Sequence, residues 1–185
     1  AMKDLQLRGS GSILGDIQSG FIANVGLNIF NKYVIDSIEG KSEDKSSILE
    51  TEIKLDCYWG SSIPKSYIDA DSERIDIYKR LEHSEPNKVD EIKNEIIDRF
   101  GNVPEITDNL FSTAKIRSIL QTKEILRCKI REFQVELFPV DLTEDLKLSI
   151  EKFDKRFIFR NKRLVLNFQH SLTPESTYEL LDSIL

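Results

Sequence analysis

The segment Leu126–Phe138 reads LRCKIREFQVELF, and it changes parity halfway along. Leu126, Cys128 and Ile130 occupy even positions, whereas Phe133, Val135 and Leu137 occupy odd ones. Side chains of a strand point alternately to its two faces, so one regular strand cannot switch parity without turning its core face to water. Arg131-Glu132 must therefore be a tight turn or a bulge. A second unit of the same kind follows. Phe157 and Phe159 lead into Asn161-Lys162 and then Leu164, Leu166 and Phe168, the pattern of a β-hairpin. A sheet built this way has an apolar face that something must cover.

The covering elements are legible upstream. In TEIKLDCY, Ile53, Leu55 and Cys57 face one way and Glu52, Lys54 and Asp56 the other, as a half-buried strand requires. Three helices are expected next. The first spans about Glu73 to Glu82, capped by Asp71 or Ser72, and buries Ile75, Tyr78 and Leu81. The second starts after Asn87, carries Val89, Ile92, Ile96 and Phe100 on one stripe, and stops at Gly101. The third begins at Pro104 with Ile106, Leu110 and Ala114 inward. A short helix after Thr143 offers Leu146, Ile150 and Phe153, and a last one opened by Thr173-Pro174 buries Tyr178, Leu181 and Leu185. Ile53, Leu55, Ile92, Ile96, Leu110, Val135, Leu137, Leu164 and Leu166 are expected in one mixed core.

Before this domain, Leu27, Phe30, Val34 and Ile38 recur at helical spacing from Asn24 to Glu39, and Gly40 is placed to end that helix. The polar run KSEDKSS has nothing to bury. The organisation is thus a helical N-terminal appendage over 1–40, a linker over 41–47, and an α+β domain of helices and antiparallel strands over 48–185.

Composition narrows the function classes. The 185 residues include no apolar run near the ~20 needed to cross a bilayer, and a cytoplasmic protein is the expectation. Cys57 and Cys128 sit far apart in alternating patterns and read as buried, reduced thiols. His83 and His170 have no ligand-spaced companion, which argues against a metal or triad site. A net charge of −6 disfavours a free-standing nucleic-acid binder and favours a protein partner. Glu144, Asp145 and Glu151 read as helix capping and surface rather than an acid/base pair.

Glycines crowd the stretch LRGSGSILGDIQSG, from Leu7 to Gly20. A dinucleotide fingerprint wants G-x-G-x-x-G after a buried strand, but Gly9, Gly11 and Gly15 are one residue too wide and MKDLQL is too short and polar. The phosphate loop G-x-x-x-x-G-K-[ST] also fails. Gly15 and Gly20 have its spacing, yet Phe21 and Ile22 stand where Lys and Ser/Thr are needed. The glycines instead permit a sharply bent, closely packed backbone that carries Arg8, Asp16 and Gln18.

The order DLQLRGSGSILGDIQSG (Asp4 to Gly20), followed by VGLNIFNKYV, resembles the bacterial transcription-repair coupling factors, which are large ATP-driven DNA translocases. RIDIYKRLEHSE (Arg74 to Glu85) and EIKNEIIDRFGNVPE (Glu91 to Glu105) are similar to that family's C-terminal domain, with its R-x-x-x-Y-K-R-L and E-L-x-D-R-F-G-x-x-P segments. From about Leu126 onward only the strand-and-helix pattern agrees.

The resemblance implies that Arg8 and Gln18, on a turn shaped by Gly9, Gly15 and Gly20, belong to a translocation motif packed against the second motor lobe. It implies that the C-terminal module folds against the family's N-terminal domain and masks the surface that recruits the excision-repair damage-recognition protein. It also implies that RNA polymerase and duplex DNA are engaged through the parent chain, and that ATP and Mg belong to the parent motor. This chain carries neither the phosphate loop nor an Asp-Glu-x-x helicase box, so no cofactor and no catalysis are expected of it. Ala1-Met2 reads as the interior of a longer sequence or as a cloning remnant.

The basic group Lys155, Arg156, Arg160, Lys162 and Arg163 is the candidate partner contact, read as a solvated hairpin tip, a clasp on an acidic domain, or a DNA contact. Two rivals to the regulatory module stand beside it: a small nucleotide-using enzyme, and a stand-alone nucleic-acid-binding module acting through the basic hairpin.

Overall fold

The computed structural model describes residues 53–153 and 157–185. The appendage over 1–40 and the linker over 41–47 lie outside the described residues.

The chain opens with strand β1 (Lys54–Asp56) and continues through three helices, α1 (Asp71–Glu82), α2 (Pro86–Phe100) and α3 (Glu105–Thr122). The hairpin β2 (Arg127–Arg131) and β3 (Gln134–Phe138) follows, then α4 (Glu144–Glu151), the hairpin β4 (Ile158–Arg160) and β5 (Arg163–Asn167), and α5 (Pro174–Ile184). The strands form one sheet in the order β1-β2-β3-β5-β4. The α+β expectation holds, with one refinement. β1 runs parallel to β2, while the other three pairings are antiparallel. A parallel neighbour needs a long crossover, and the three helices between β1 and β2 supply it.

Both hairpins close on two residues. The parity change resolves as a turn at Glu132-Phe133, one residue later than the hydrophobic pattern placed it, because Arg131 pairs with Gln134. Phe133 therefore sits in the turn and is exposed rather than in the strand. The second turn falls at Asn161-Lys162, where both residues have positive φ, 52° and 59°. That is the left-handed pair a two-residue hairpin needs to match the twist of its strands.

The apolar residues divide into two cores. Ile63 and Ile68 pack with Ile77, Tyr78 and Leu81 of α1, Val89, Ile92 and Ile96 of α2, and Leu110, Phe111 and Ala114 of α3. The second core fills the inner face of the sheet with Cys128, Ile130, Val135, Leu137, Leu164 and Leu166. It is covered by Ile116, Ile119 and Leu120 of α3, Ile150 of α4, and Leu180, Leu181 and Ile184 of α5. The single mixed core expected from the pattern is thus two, joined by α3, whose first half faces the helices and whose second half faces the sheet.

Several faces differ from the periodicity. In α1, Ile77 rather than Ile75 is buried, and Arg74 goes inward with it. Neither Asp71 nor Ser72 caps that helix; Ala70 holds the cap position, and the Asp71 carboxylate pairs with Arg74 instead. α2 starts at Pro86, and α3 starts one residue after Pro104 with Ile106 exposed. Phe153 lies just past the end of α4 and is exposed, and Leu180 and Ile184 fill the core alongside Leu181, leaving Tyr178 half-buried. The stop at Gly101 holds: its φ of +83° suits glycine, and its N–H donates to Ile97. Thr143 caps α4 by accepting from the Leu146 N–H, and Thr173 with Ser176 forms a reciprocal cap on α5.

Candidate interaction surface

The translocation-motif residues Arg8, Gly9, Gly15, Gln18 and Gly20 lie outside the described residues, as do Lys155 and Arg156. What remains of the sequence-derived site is the β4–β5 hairpin, with Arg160, Lys162 and Arg163.

The helices cover one face of the sheet, so every second residue of each strand is left on the other. Register places these outer residues in rows. Asp56, Lys129, Glu136, Val165 and Ile158 lie side by side across all five strands. In the next row Lys54 stands opposite Arg127 and Arg127 opposite Phe138, and Arg160 faces Arg163 at the far edge. Arg131, Gln134 and Asn167 form a third row, with a hydrogen bond of 2.9 Å from the Gln134 amide to Asn167.

Arg160 and Arg163 are therefore not an isolated hairpin tip. They belong to a face that also holds Lys54, Arg127, Lys129 and Arg131, which the sequence reading left out. The signal was available, because these residues alternate with the partly buried Leu55 and the buried Cys128 and Ile130. Arg131 is paired with Asp56 at 2.5 Å, and Arg163 with Glu136 at 3.4 Å. The hydrogen bond that Arg131 donates to Asp56 raises its pKa further, so this cation stays charged at any relevant pH. Lys54, Arg127, Lys129 and Arg160 are exposed, and no described carboxylate pairs with them. Lys162 turns away from the face to Asp141 at 2.8 Å, and the Val140 N–H donates to its carbonyl at 2.8 Å.

Beside these cations lies a strip of apolar surface. Val165 and Phe138 are half-buried, and Ile158 on the edge strand is 58% exposed. Burial pushes the Cys57 thiol up to about 12 and raises Cys128 as well, which favours the protonated form of both.

The segments that carried the family resemblance do a different job. The Arg74 guanidinium is buried and donates to the Ile68 carbonyl at 2.8 Å. Tyr78 accepts the Ile63 N–H at 2.8 Å through a hydroxyl whose pKa burial pushes up to about 12. Together they pin the loop between β1 and α1. Arg80 makes a two-pronged contact with Glu95, and Arg99 bridges Glu95 and Glu73, tying α1 to α2. These residues build the scaffold behind the face rather than the face itself.

The TRCF domain family model matches residues 59–151. The chain is 33% identical over 142 residues to the transcription-repair-coupling factor of Bacillus subtilis (strain 168), covering 71% of this chain and 12% of that protein. It is 37% identical over 122 residues to the corresponding protein of Buchnera aphidicola, covering 63% of this chain and 15% of that protein. It therefore spans only a small part of the length of these relatives. The fold is that of the crystal structure of the C-terminal domain of a transcription-repair coupling factor, with a TM-score of 0.60 at 19% identity over 74% of this chain and 93% of that one. By the family match over α1 to α4 and the first hairpin, this chain belongs to the TRCF domain family.

Proposed function

We propose that this chain is the C-terminal regulatory module of an ATP-dependent DNA translocase that couples removal of stalled RNA polymerase to nucleotide excision repair. It acts by covering the surface that recruits the damage-recognition protein until polymerase has been engaged. The observation that carries the reading is the one-sided sheet. An acidic chain that collects cations on the sheet face its described helices leave uncovered is shaped for an interface with another protein surface. Catalysis belongs to the motor of the parent chain, with its ATP and Mg. In the same reading Arg8 and Gln18 transmit the nucleotide state of that motor, so Arg8→Ala or Gln18→Ala in the full-length protein retains ATP hydrolysis and loses translocation.

The test is direct binding of this chain to the N-terminal region of its own parent, with the damage-recognition protein as competitor. Mutually exclusive binding is the expected result. Failure to bind, or simultaneous binding of both, rejects masking.

A further inference from the structure

We infer that the open face of the sheet docks an acidic protein segment that also carries apolar side chains; this deepens the regulatory reading and rests on it. Six cations stand on the face: Lys54, Arg127, Lys129, Arg131, Arg160 and Arg163. Among the described residues, Asp56 and Glu136 oppose them, and each is already committed to one arginine. Lys54 and Arg127 form one basic corner and Arg160 with Arg163 the other. Between them runs the strip of Phe138, Val165 and Ile158, with Phe138 and Val165 as diagonal neighbours on adjacent strands.

The mixture of charge and apolar surface selects the partner class. A duplex offers phosphates and sugars to such a face, which satisfies the corners but leaves Ile158 and Val165 against charge. A single strand needs flat, open aromatic rings on which bases stack, and among the described residues the one ring on the face, Phe138, is half-buried. An acidic segment with apolar side chains at helical or strand spacing meets both parts at once. Four strand spacings separate the corners, about 19 Å, which about 13 residues of helix span.

The chain of 185 residues is tested with three probes in fluorescence anisotropy: an acidic helical peptide with one leucine stripe, a glutamate-only peptide of equal charge, and a short duplex DNA. The leucine-striped peptide is expected to bind about tenfold tighter than the glutamate-only one, the gain available from covering one or two aliphatic side chains. Arg127→Glu with Arg160→Glu should weaken both peptides by tenfold or more. Ile158→Ser should weaken only the striped one. All three positions are exposed, and unchanged circular dichroism and melting temperature establish that the variants fold.

Peptide binding indifferent to these substitutions overturns the proposal. So does tighter, steeply salt-dependent binding of the duplex, which marks the face as a nucleic-acid surface. If the chain binds the parent's N-terminal region and the double variant binds it equally well, the assignment of the face fails while the regulatory reading stands. If the unaltered chain does not bind that region at all, the regulatory reading fails, and the peptide series alone decides the face.

Discussion

The two halves of the molecule hold themselves together differently. In the helical half, packing is supplemented by particular polar groups that bond to backbone or to one another across sequence. Arg74 holds the Ile68 carbonyl, Tyr78 the Ile63 N–H and Thr107 the Ser62 carbonyl, and Trp59 donates to Thr113. Each bond specifies a residue type, since no apolar side chain of similar size offers the same donor or acceptor. In the sheet half, the inner face asks only for apolar side chains of suitable volume at every second position, and the outer face asks only for solubility. The difference fits the family-like motifs, from Arg74 to Glu105, falling among the helices, although the family match itself runs on past Leu126, through the first hairpin to residue 151. It also shows where function has room to vary. The outer residues of the sheet are released from structural duty and can be chosen for a partner.

The largest effects should test whether these halves are one cooperative unit. Ile96→Ala in the helical core and Leu137→Ala in the sheet core each remove a fully buried side chain and should each cost on the order of 2–5 kcal/mol. Because α3 belongs to both cores, each variant is expected to lower one shared calorimetric transition. Two separate transitions would break the molecule into independent parts. A loss under about 1 kcal/mol at Leu137 would invert the strand faces described above.

An intermediate effect sharpens the contrast in bonding. Tyr78→Phe leaves the ring and removes the acceptor of the Ile63 N–H, which should cost about 1–3 kcal/mol because that donor is then buried unpaired. Val165→Thr on the outer face changes polarity to a similar degree and should stay within about 0.5 kcal/mol in urea denaturation. Equal losses at both positions would erase the distinction.

The ion network between α1 and α2 is partly exposed and should contribute less, with Arg80→Ala costing about 0.5–1 kcal/mol and the cost shrinking in high salt. Its pH dependence has a definite sign. Hydrogen bonding from Arg80, with help from Arg99, holds Glu95 below the usual glutamate range. Its contribution is therefore complete above the unfolded glutamate value and disappears as pH falls through the lowered folded value. Urea titrations across the acid range should show a shallower acid limb in Arg80→Ala. An unchanged limb would show that the pair does not persist in solution.

The smallest expected change is a gain. Lys162 sits at positive φ in the second hairpin turn, and Lys162→Gly creates the Asn-Gly pair that this turn prefers. It should stabilise by at most about 1 kcal/mol, since relief of the left-handed strain on Lys162 is offset in part by the extra unfolded-state freedom of glycine, and the ion pair it sacrifices is exposed. Binding at the open face should be unaffected, because Lys162 points to Asp141. Weakened binding would return Lys162 to the interface.

Sequence alone determined the elements whose cause is local. The parity change demanded a turn or a bulge, Asn161-Lys162 marked a hairpin turn, and Gly101 and Thr143 marked helix ends, because each follows from backbone geometry within a few residues. The inward positions Cys128, Ile130, Val135 and Leu137 followed from the same alternation. Tertiary structure decided what depends on elements meeting. Arg74 is absent from the stripe of Ile75, Tyr78 and Leu81 expected to be buried, yet it is buried where it donates to the loop carbonyl of Ile68. The division into two cores arises because α3 is long enough to pack helices with one half and the sheet with the other. Alternation marks the basic strand residues as outward, but that they share one face is a matter of tertiary structure for the same reason. Lys54, Arg127 and Arg160 come from strands far apart in the chain, and only the order β1-β2-β3-β5-β4 lays them on one surface.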